Sequence, residues 1–218
     1  MSVHRATSNI ATPRRLGRKD YAVDTVAMAT ALLGARLVRT DDAGNRLAGT
    51  IVETEAYVGV EDKACKTYQG RRTANNESMY AQPGTAYVYF TYGMHFCMNV
   101  VCGALDEPVA VLLRALEPTE GIEIMRRNRT NPRRKSPLLD TDLCSGPAKL
   151  CQALKIDKSF DCLDLCADSR LFIEPSPTGH VALTQITRTP RIGIASAGDW
   201  VDRPLRFYLT NSRHISRK

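Results

Sequence analysis

The chain has 218 residues and a formal net charge of +7, with 43% hydrophobic and 24% charged residues. This composition is typical of a folded protein and excludes a disordered or fibrous chain. No apolar run approaches the roughly 20 residues that a membrane-spanning helix needs, so we expect no membrane association. The excess positive charge suits a polyanion such as nucleic acid, although solvated charged surfaces explain it equally well.

The basic residues fall into three groups along the chain. Residues 1–19 contain five basic residues, no acidic residue and no hydrophobic period. This segment is therefore predicted to be a flexible basic tail, with an organelle transit signal as the alternative interpretation. The other two groups are Arg126, Arg127, Arg129, Arg133, Arg134 and Lys135, and Arg213, Arg217 and Lys218.

The seven cysteines and four histidines are scattered. No Cys-x-x-Cys occurs, and no histidine stands at zinc-finger spacing from a cysteine, so we predict no structural metal site. An odd number of cysteines is typical of reduced thiols in an intracellular protein.

Local patterns predict the first half of the fold. A helix is expected over residues 25–33, capped by Asp24 and ended by Gly34. Strands are expected over 35–39 and 47–57, joined by a turn at 41–45. Residues 59–84 are polar and rich in Gly, Asn and Arg, and a long loop of this kind in a compact domain usually carries function.

Further strands are predicted over residues 86–91, 96–102 and 108–115, and the first two flank a segment short enough for a tight hairpin. Pro118 is predicted to open a helix to about Arg127, and Ser145 to cap a helix through Leu154. Short strands are predicted over 181–185, 190–195 and 205–209. The sequence thus predicts an α+β fold, in which residues 20–218 form a single domain with a curved antiparallel sheet, surrounding helices and a protruding β-hairpin.

Two glutamates stand out in the strand over 47–57. Period-two geometry places Glu53, Glu55 and Tyr57 on one face. Two carboxylates beside an aromatic ring can form a cleft wall, and like charges raise one another's pKa, which suits a general acid or base. The alternative is a solvent-facing edge at which both glutamates are hydrated.

Aromatic residues mark the hairpin. Tyr87 and Tyr89 share a face and can sandwich a planar base, although cross-strand packing is the commoner explanation. Tyr92 stands beside Gly93 at the tip with Met94 next to it, where a bulky side chain either inserts between base steps or packs on the turn.

Two polar residues interrupt apolar strands. Arg114 lies within Val111–Leu116 and needs a buried partner, for which Glu55 would serve. Asn99 lies likewise between Met98 and Val100.

Read together, the motifs are specific. The strings ETEAYVGVEDKAC, GRRTANN, PGTAYVYFTYGMHFCMNVV, VLLRALEP, LCSGPAKLCQAL and RIGI occur in this order. From about residue 20 to residue 208, the chain closely resembles the alkyladenine (3-methyladenine) DNA glycosylase family. The resemblance implies a repair enzyme that flips out and hydrolytically excises purines such as 3-methyladenine, 7-methylguanine, hypoxanthine and ethenoadenine from double-stranded DNA, as the first step of base excision repair.

The same resemblance implies a monomer that needs neither a metal nor an organic cofactor. The expected compartment is the nucleus, or the nucleoid or cytoplasm of a prokaryote, with mitochondria as a further destination.

The resemblance also assigns roles to residues. It implies that Glu55 is the general base, and that Arg114 and the backbone carbonyl of Ile192 hold the attacking water. It implies a base pocket formed by Tyr57, Lys66, Tyr87, Tyr89 and Asn99, in which Tyr57 and Tyr89 stack on the flipped base and Asn99 excludes the guanine amino group. The DNA-binding residues implied are Arg71, Thr73, Met79, Tyr92, Met94 and Gly193, with Tyr92 filling the space that the flipped nucleotide leaves.

One pocket position departs from the family pattern, which has histidine where this chain has Lys66. In the family the imidazole orders a neighbouring tyrosine, here Tyr87. Lysine donates hydrogen bonds but accepts none, so altered base selectivity is expected. A lesion binder with impaired catalysis is the first alternative function, and lyase chemistry through a Schiff base on Lys66 is another.

Two further alternatives come from other classes. A general DNA or RNA chaperone would show steep salt dependence and no preference for damage. A carbohydrate glycosidase could use Glu53 and Glu55, but carboxylates two residues apart on one strand are too close to flank a sugar ring. The single tryptophan also leaves little aromatic platform for a sugar.

Overall fold

The computed structural model describes residues 14–130 and 136–217. Within these ranges, the helices are α1 (Arg18–Tyr21), α2 (Thr25–Ala31), α3 (Ile122–Asn128), α4 (Asp140–Leu143) and α5 (Pro147–Leu154). The strands are β1 (Arg36–Thr40), β2 (Arg46–Tyr57), β3 (Ala86–Thr91), β4 (His95–Val101), β5 (Ala110–Glu120), β6 (Leu171–Glu174), β7 (Ile186–Thr189) and β8 (Arg206–Leu209). Single 3-10 turns lie at Tyr68–Gly70, Glu77–Tyr80, Lys158–Phe160, Leu183–Gln185 and Gly198–Trp200.

All the strands of the described residues belong to one antiparallel sheet that does not close on itself. Its main path runs β3-β4-β5-β2-β1-β6, and β7 and β8 form a ribbon that joins through β8. Strand β2 is central because it pairs with β5 along one edge and with β1 and then β8 along the other. The α+β fold class predicted from the sequence is confirmed.

The register between β2 and β5 shifts at two places, between Ala48 and Gly49 and around Glu53. Such bulges bend a strand and increase its twist. The first shift also accommodates Pro118, which pairs with Gly49 inside β5. The prediction that Pro118 opens a helix was therefore wrong, because a proline that cannot donate to the ladder is tolerated at a bulge.

The main core lies between the sheet and the helices. Helix α5 packs against β4 and β5, and α2 packs against β2. A second, smaller apolar cluster lies apart from this core and contains Cys65, Met79, Tyr80, Tyr87, Val101 and Ala110. The half-buried rings of Tyr57 and Tyr89 pack on the edge of this second cluster. The sheet therefore supports an aromatic surface outside its core.

Most local predictions in the first half are confirmed. The Asp24 carboxylate caps α2 by accepting hydrogen bonds from the backbone N–H groups of Val26 and Ala27, at 2.9 and 3.0 Å. Gly34 follows the helix with φ of +84°, as expected of a residue that ends a helix. The predicted strands up to residue 115 correspond to β1 to β5, and residues 59–84 form the expected long loop with two 3-10 turns.

In the second half of the chain, the predicted helices and strands differ more from the structure. Helix α3 begins only after Gly121, and α5 begins at Pro147 behind Gly146. Ser145 does not cap α5, because the N-cap position falls on Gly146. The Ser145 hydroxyl accepts a hydrogen bond from Lys149 Nζ at 3.0 Å. The predicted strand over 181–185 is a 3-10 turn followed by β7, the predicted strand over 190–195 is a loop, and β6 was not predicted.

The predicted N-terminal tail lies mainly outside the described residues. Its last part is held on the domain, where the Leu16 N–H donates to the carbonyl of Ile173 at 2.8 Å and Arg18 pairs with Asp164 at 2.6 Å. The folded region thus begins earlier than residue 20. Among the described helices, none combines the length and the apolarity that crossing a bilayer requires.

Candidate active site

Glu55 lies on the central strand β2 and its side chain is 0% exposed. Its Oε1 accepts a hydrogen bond from the backbone N–H of Ile192 at 2.7 Å and lies 3.1 Å from Nη1 of Arg114. Its Oε2 accepts a hydrogen bond from the Tyr57 hydroxyl at 3.0 Å. Burial, and then the charge of Glu55, raise the pKa of the Tyr57 phenol, so the phenol stays protonated and donates at neutral pH. The hydrated-edge alternative for this strand is excluded.

Glu53 is equally buried, and it too contacts Arg114. Its Oε1 accepts from Nε of Arg114 at 3.0 Å and from Nε of Arg206 at 2.7 Å. The Arg114 guanidinium thus contacts both Glu53 and Glu55. From the sequence, only the contact with Glu55 was predicted. Burial lowers the pKa of Arg114, but the charges of Glu55 and Glu53 raise it by more.

A second buried ion pair anchors the loop after β2. Arg191 and Asp62 are both fully buried and form two hydrogen bonds of 2.6 and 2.8 Å. Arg191 also donates to the carbonyl of Ala56, and its guanidinium lies 4.7 Å from the centre of the Tyr57 ring. Asp62 accepts the backbone N–H of Ala64 at 2.9 Å. This pair ties the backbone that carries Ile192 to the strand that carries Glu55.

A cavity of about 180 Å³ opens beside this centre. All five residues predicted for the base pocket line it: Tyr57, Lys66, Tyr87, Tyr89 and Asn99. Three residues predicted to bind DNA line it as well, namely Met79, Tyr92 and Gly193, together with Ala64, Cys65, Thr91 and Ile194. Glu55 stands behind the cavity, and Tyr57 connects the two because its ring lines the cavity while its hydroxyl binds Glu55.

The cavity walls are aromatic on one side and polar on the other. The Tyr87 and Tyr89 rings are tilted by 31° with their centres 5.3 Å apart. Asn99 is buried and its amide donates to the carbonyl of Tyr87 at 3.2 Å. Lys66 Nζ lies 5.2 Å from the centre of the Tyr89 ring, within cation–π range. A ring that enters the cavity would therefore meet both aromatic side chains and a cation.

The loop 59–84 brings Arg71 and Thr73 to an adjoining groove, which also contains Lys66 and Lys158. Asn76 organises this loop from inside: its amide donates to the carbonyls of Lys66 and Arg71, both at 2.9 Å, and accepts the N–H of Thr73 at 2.7 Å. Arg71 is exposed to solvent beside the groove.

The β3–β4 hairpin projects aromatic and apolar side chains. Tyr92 is 81% exposed and Met94 is 70% exposed. Tyr92 adopts φ of +51°, a left-handed conformation that non-glycine residues rarely adopt, next to Gly93 at +67°. Such backbone conformations cluster at functional sites, and the tip contributes Tyr92 to the cavity rim.

The sequence missed several residues that shape the site, notably Asp62, Asn76, Arg191, Arg206 and Ser216. Asp62, Arg191, Arg206 and Ser216 have no local pattern because each contacts a partner distant in the chain. Asn76 acts within its own loop, where no periodic pattern distinguishes it. Within residues 14–130 and 136–217, no three His, Cys, Asp or Glu side chains converge as metal ligands would.

The fold and the site define a protein with a tyrosine-lined cavity set beside a buried carboxylate–arginine centre. The chain belongs to the methylpurine-DNA glycosylase family, whose model matches residues 19–213.

Named relatives agree with this assignment. DNA-3-methyladenine glycosylases of Mus musculus and Homo sapiens are 47% and 45% identical over 205 residues, which is 93% of this chain. The aligned part makes up 61% of the mouse protein and 68% of the human protein, so the mammalian chains are considerably longer. A putative 3-methyladenine DNA glycosylase of Desulfitobacterium hafniense is 44% identical over 209 residues, 94% of this chain and 100% of that protein.

Proposed function

We propose that this protein is a monofunctional DNA glycosylase that hydrolytically removes alkylated or deaminated purines from duplex DNA. The observation that carries the proposal is the position of Glu55. It is buried, held by Arg114 and the N–H of Ile192, and joined through Tyr57 to a tyrosine-lined cavity. Family membership and the names of the relatives support the same conclusion.

Glu55 has the hydrogen-bonding capacity that a general base needs. Its Oε1 already contacts two donors, whereas Oε2 accepts only from Tyr57 among the described residues. A carboxylate oxygen accepts about two hydrogen bonds, so Oε2 can receive a proton from a water molecule. That water forms the new C1′–O bond as the C1′–N bond breaks, and the electron pair leaves with the base. The negative charge of Glu55 stabilises the oxocarbenium-like carbon in between.

Arg114 and Ile192 hold Glu55 in place on two sides. The resemblance assigned the carbonyl of Ile192 to the attacking water. The structure adds a hydrogen bond from the N–H of Ile192 to Glu55, the proposed general base. The N–H and the carbonyl of Ile192 would thereby serve the same reaction from two consecutive peptide units.

The cavity would receive the target base only after the nucleotide leaves the helix, because C1′ is inaccessible in a stacked duplex. Tyr57 and Tyr89 would stack on the base, and Asn99 would reject the amino group of guanine. Tyr92 would fill the gap in the duplex, offsetting part of the few kcal/mol that unstacking costs.

The DNA partner also agrees with the charge of the surface. The chain carries 30 basic and 23 acidic residues, and Arg71 and Lys158 lie beside the cavity. Each phosphate that such groups neutralise releases counterions, so binding should weaken steeply as salt increases.

The replacement Glu55→Gln tests the proposal. It keeps the size and most hydrogen bonds of the side chain but cannot accept the proton. Single-turnover assays on a duplex with one hypoxanthine, followed by alkali cleavage, should show base release by the unmodified protein and a loss of at least about 100-fold in the variant, since general-base catalysis contributes about 10² to 10⁴.

Glu61→Gln is the matched control, because Glu61 is an exposed glutamate of the following loop. It should release the base at the unmodified rate. Tight, lesion-specific binding by the unmodified protein without any release would contradict the proposal.

That outcome would instead support a second candidate, a lesion-recognition protein, which Lys66 favours because it places a lysine where the family has histidine. A carbohydrate glycosidase is not supported, since Glu53 and Glu55 share one guanidinium rather than flanking a cleft. The single tryptophan, Trp200, is buried beneath Arg203 and does not line the cavity.

A further inference from the structure

Ser216 reaches the catalytic centre from the far end of the chain. Its backbone N–H donates to Glu53 Oε2 at 2.5 Å, and its hydroxyl donates to Glu53 Oε1 at 2.7 Å. The same hydroxyl accepts a hydrogen bond from Nη2 of Arg114 at 3.2 Å. Ser216 thus contacts both charged groups beside their direct hydrogen bond.

These contacts fix the guanidinium of Arg114 at three of its edges. Nε is bound by Glu53, Nη2 by Ser216, and Nη1 faces Glu55. A planar group with one contact can still rotate, whereas three contacts in its plane define both position and orientation. Arg114 therefore faces Glu55 because Glu53 and Ser216 hold its opposite side.

The segment that carries Ser216 is itself anchored. Ile215 is buried against Val52 and Ala115. The backbone carbonyl of Arg217 accepts a hydrogen bond from Arg206. The segment therefore has packing contacts on both sides of Ser216.

We propose that Glu53 and Ser216 are positioning residues for the glycosylase reaction, which they support by holding Arg114 in the orientation that orders Glu55 and its water. The proposal rests on the function proposed above. Of the residues involved, Ser216 lies beyond residues 19–213, the stretch that matches the family model.

Ser216→Ala is the more informative variant, because replacing Glu53 would leave two buried arginines with less negative charge and could unfold the protein. Losing the hydroxyl removes one of the three contacts that orient Arg114, so the single-turnover rate of hypoxanthine release should fall by about tenfold or more. The Kd for the lesion duplex, measured by fluorescence anisotropy, should stay within twofold, and the melting temperature should fall by no more than a few degrees.

Two variants sharpen the result. Ser216→Thr keeps a hydroxyl and should restore most of the rate. Ser212→Ala removes a hydroxyl from the same segment that binds only the N–H of His214, and it should behave like the unmodified protein.

A Ser216→Ala rate equal to that of Ser212→Ala overturns the proposal. A loss of lesion binding in step with the rate overturns it as well, because the segment would then contribute to DNA binding. If Glu55→Gln abolishes release while Ser216→Ala does not, only this inference fails; if the unmodified protein releases no base, the proposed function fails.

Discussion

Lys66 gives this cavity a cationic side chain. It lines both the cavity and the adjoining groove, and its ammonium lies over the Tyr89 ring. N-alkylated purines carry positive charge, whereas hypoxanthine and ethenoadenine are neutral and offer acceptors to a donor. A lysine near the bound base therefore repels the first group and can donate a hydrogen bond to the second.

Replacing Lys66 with methionine should shift lesion preference toward charged bases. The charge of Lys66 and that of an alkylated base in the cavity would repel each other by about 1 kcal/mol. The repulsion is this small because solvent screens the exposed Lys66. We expect the ratio of 7-methylguanine to hypoxanthine excision to rise by about fivefold in single-turnover assays on matched duplexes. Lys66→His should move the ratio in the same direction.

Lys63→Met serves as the control. Lys63 lies in the same loop, but it forms an ion pair of 2.5 Å with Asp199 and does not line the cavity. An unchanged ratio in Lys66→Met would show that this side chain does not face the bound base.

At the scale of elements, the β3–β4 hairpin is the part that we expect to enter DNA. Tyr92→Ala removes the exposed ring, so the free energy of unfolding should change by less than about 0.5 kcal/mol. Stacking on a base contributes about 1–3 kcal/mol, and the variant should bind a hypoxanthine duplex about 10- to 100-fold more weakly in anisotropy titrations.

Leu183→Ala offers a comparison, because Leu183 is an apolar side chain that is 76% exposed outside the hairpin. It should bind as the unmodified protein does. Equal affinity in both variants would mean that the hairpin does not insert.

The elements that sequence patterns predicted well are those whose signal is local. Strands β1 to β5 follow their hydrophobic runs, and α2 follows its Asp24 cap. Residues 190–195 look similarly apolar but form a loop, because Arg191 turns toward Asp62 and the N–H of Ile192 is used by Glu55. Strand β6 escaped prediction since it has only four residues and pairs only with β1.

The residues of the site also divide into those with a local sequence signal and those without one. Tyr87 and Tyr89 were predicted to share a face because they alternate on one strand, and the family resemblance added Tyr57 to them. The structure gathers all three in one cavity. Arg206 and Arg191, which pair with Glu53 and Asp62, were not identifiable, since they lie 153 and 129 residues away from these partners. Pairing between distant residues leaves no periodic trace in either segment.

For the molecule as a whole, the cysteines provide a test of the packing. Five are buried, Cys166 is half-buried and Cys162 is exposed. Burial raises the pKa of the Cys102 and Cys144 thiols to about 12, so these are protonated and unreactive at neutral pH.

Iodoacetamide at pH 8 should therefore label Cys162 first and Cys166 more slowly, as followed by mass spectrometry of peptides. The buried thiols should react only after urea unfolds the protein. In the unfolded chain, all seven cysteines are accessible to the reagent. Rapid labelling of Cys65 or Cys97 in the native protein would instead show that the region around the cavity opens.

The arrangement of β2 has a consequence for the order in which the protein is made. Glu53 and Glu55 emerge from the ribosome early, but their partners Arg114, Arg206 and Ser216 follow later, the last of them 163 residues after Glu53. Until then, a nascent chain cannot bury two carboxylates without leaving charge uncompensated. These contacts join residues far apart in the chain, so they form only once the C-terminal segment is available. A chain interrupted in translation before Ser216 would therefore keep most of its basic residues but lack the complete carboxylate–arginine centre.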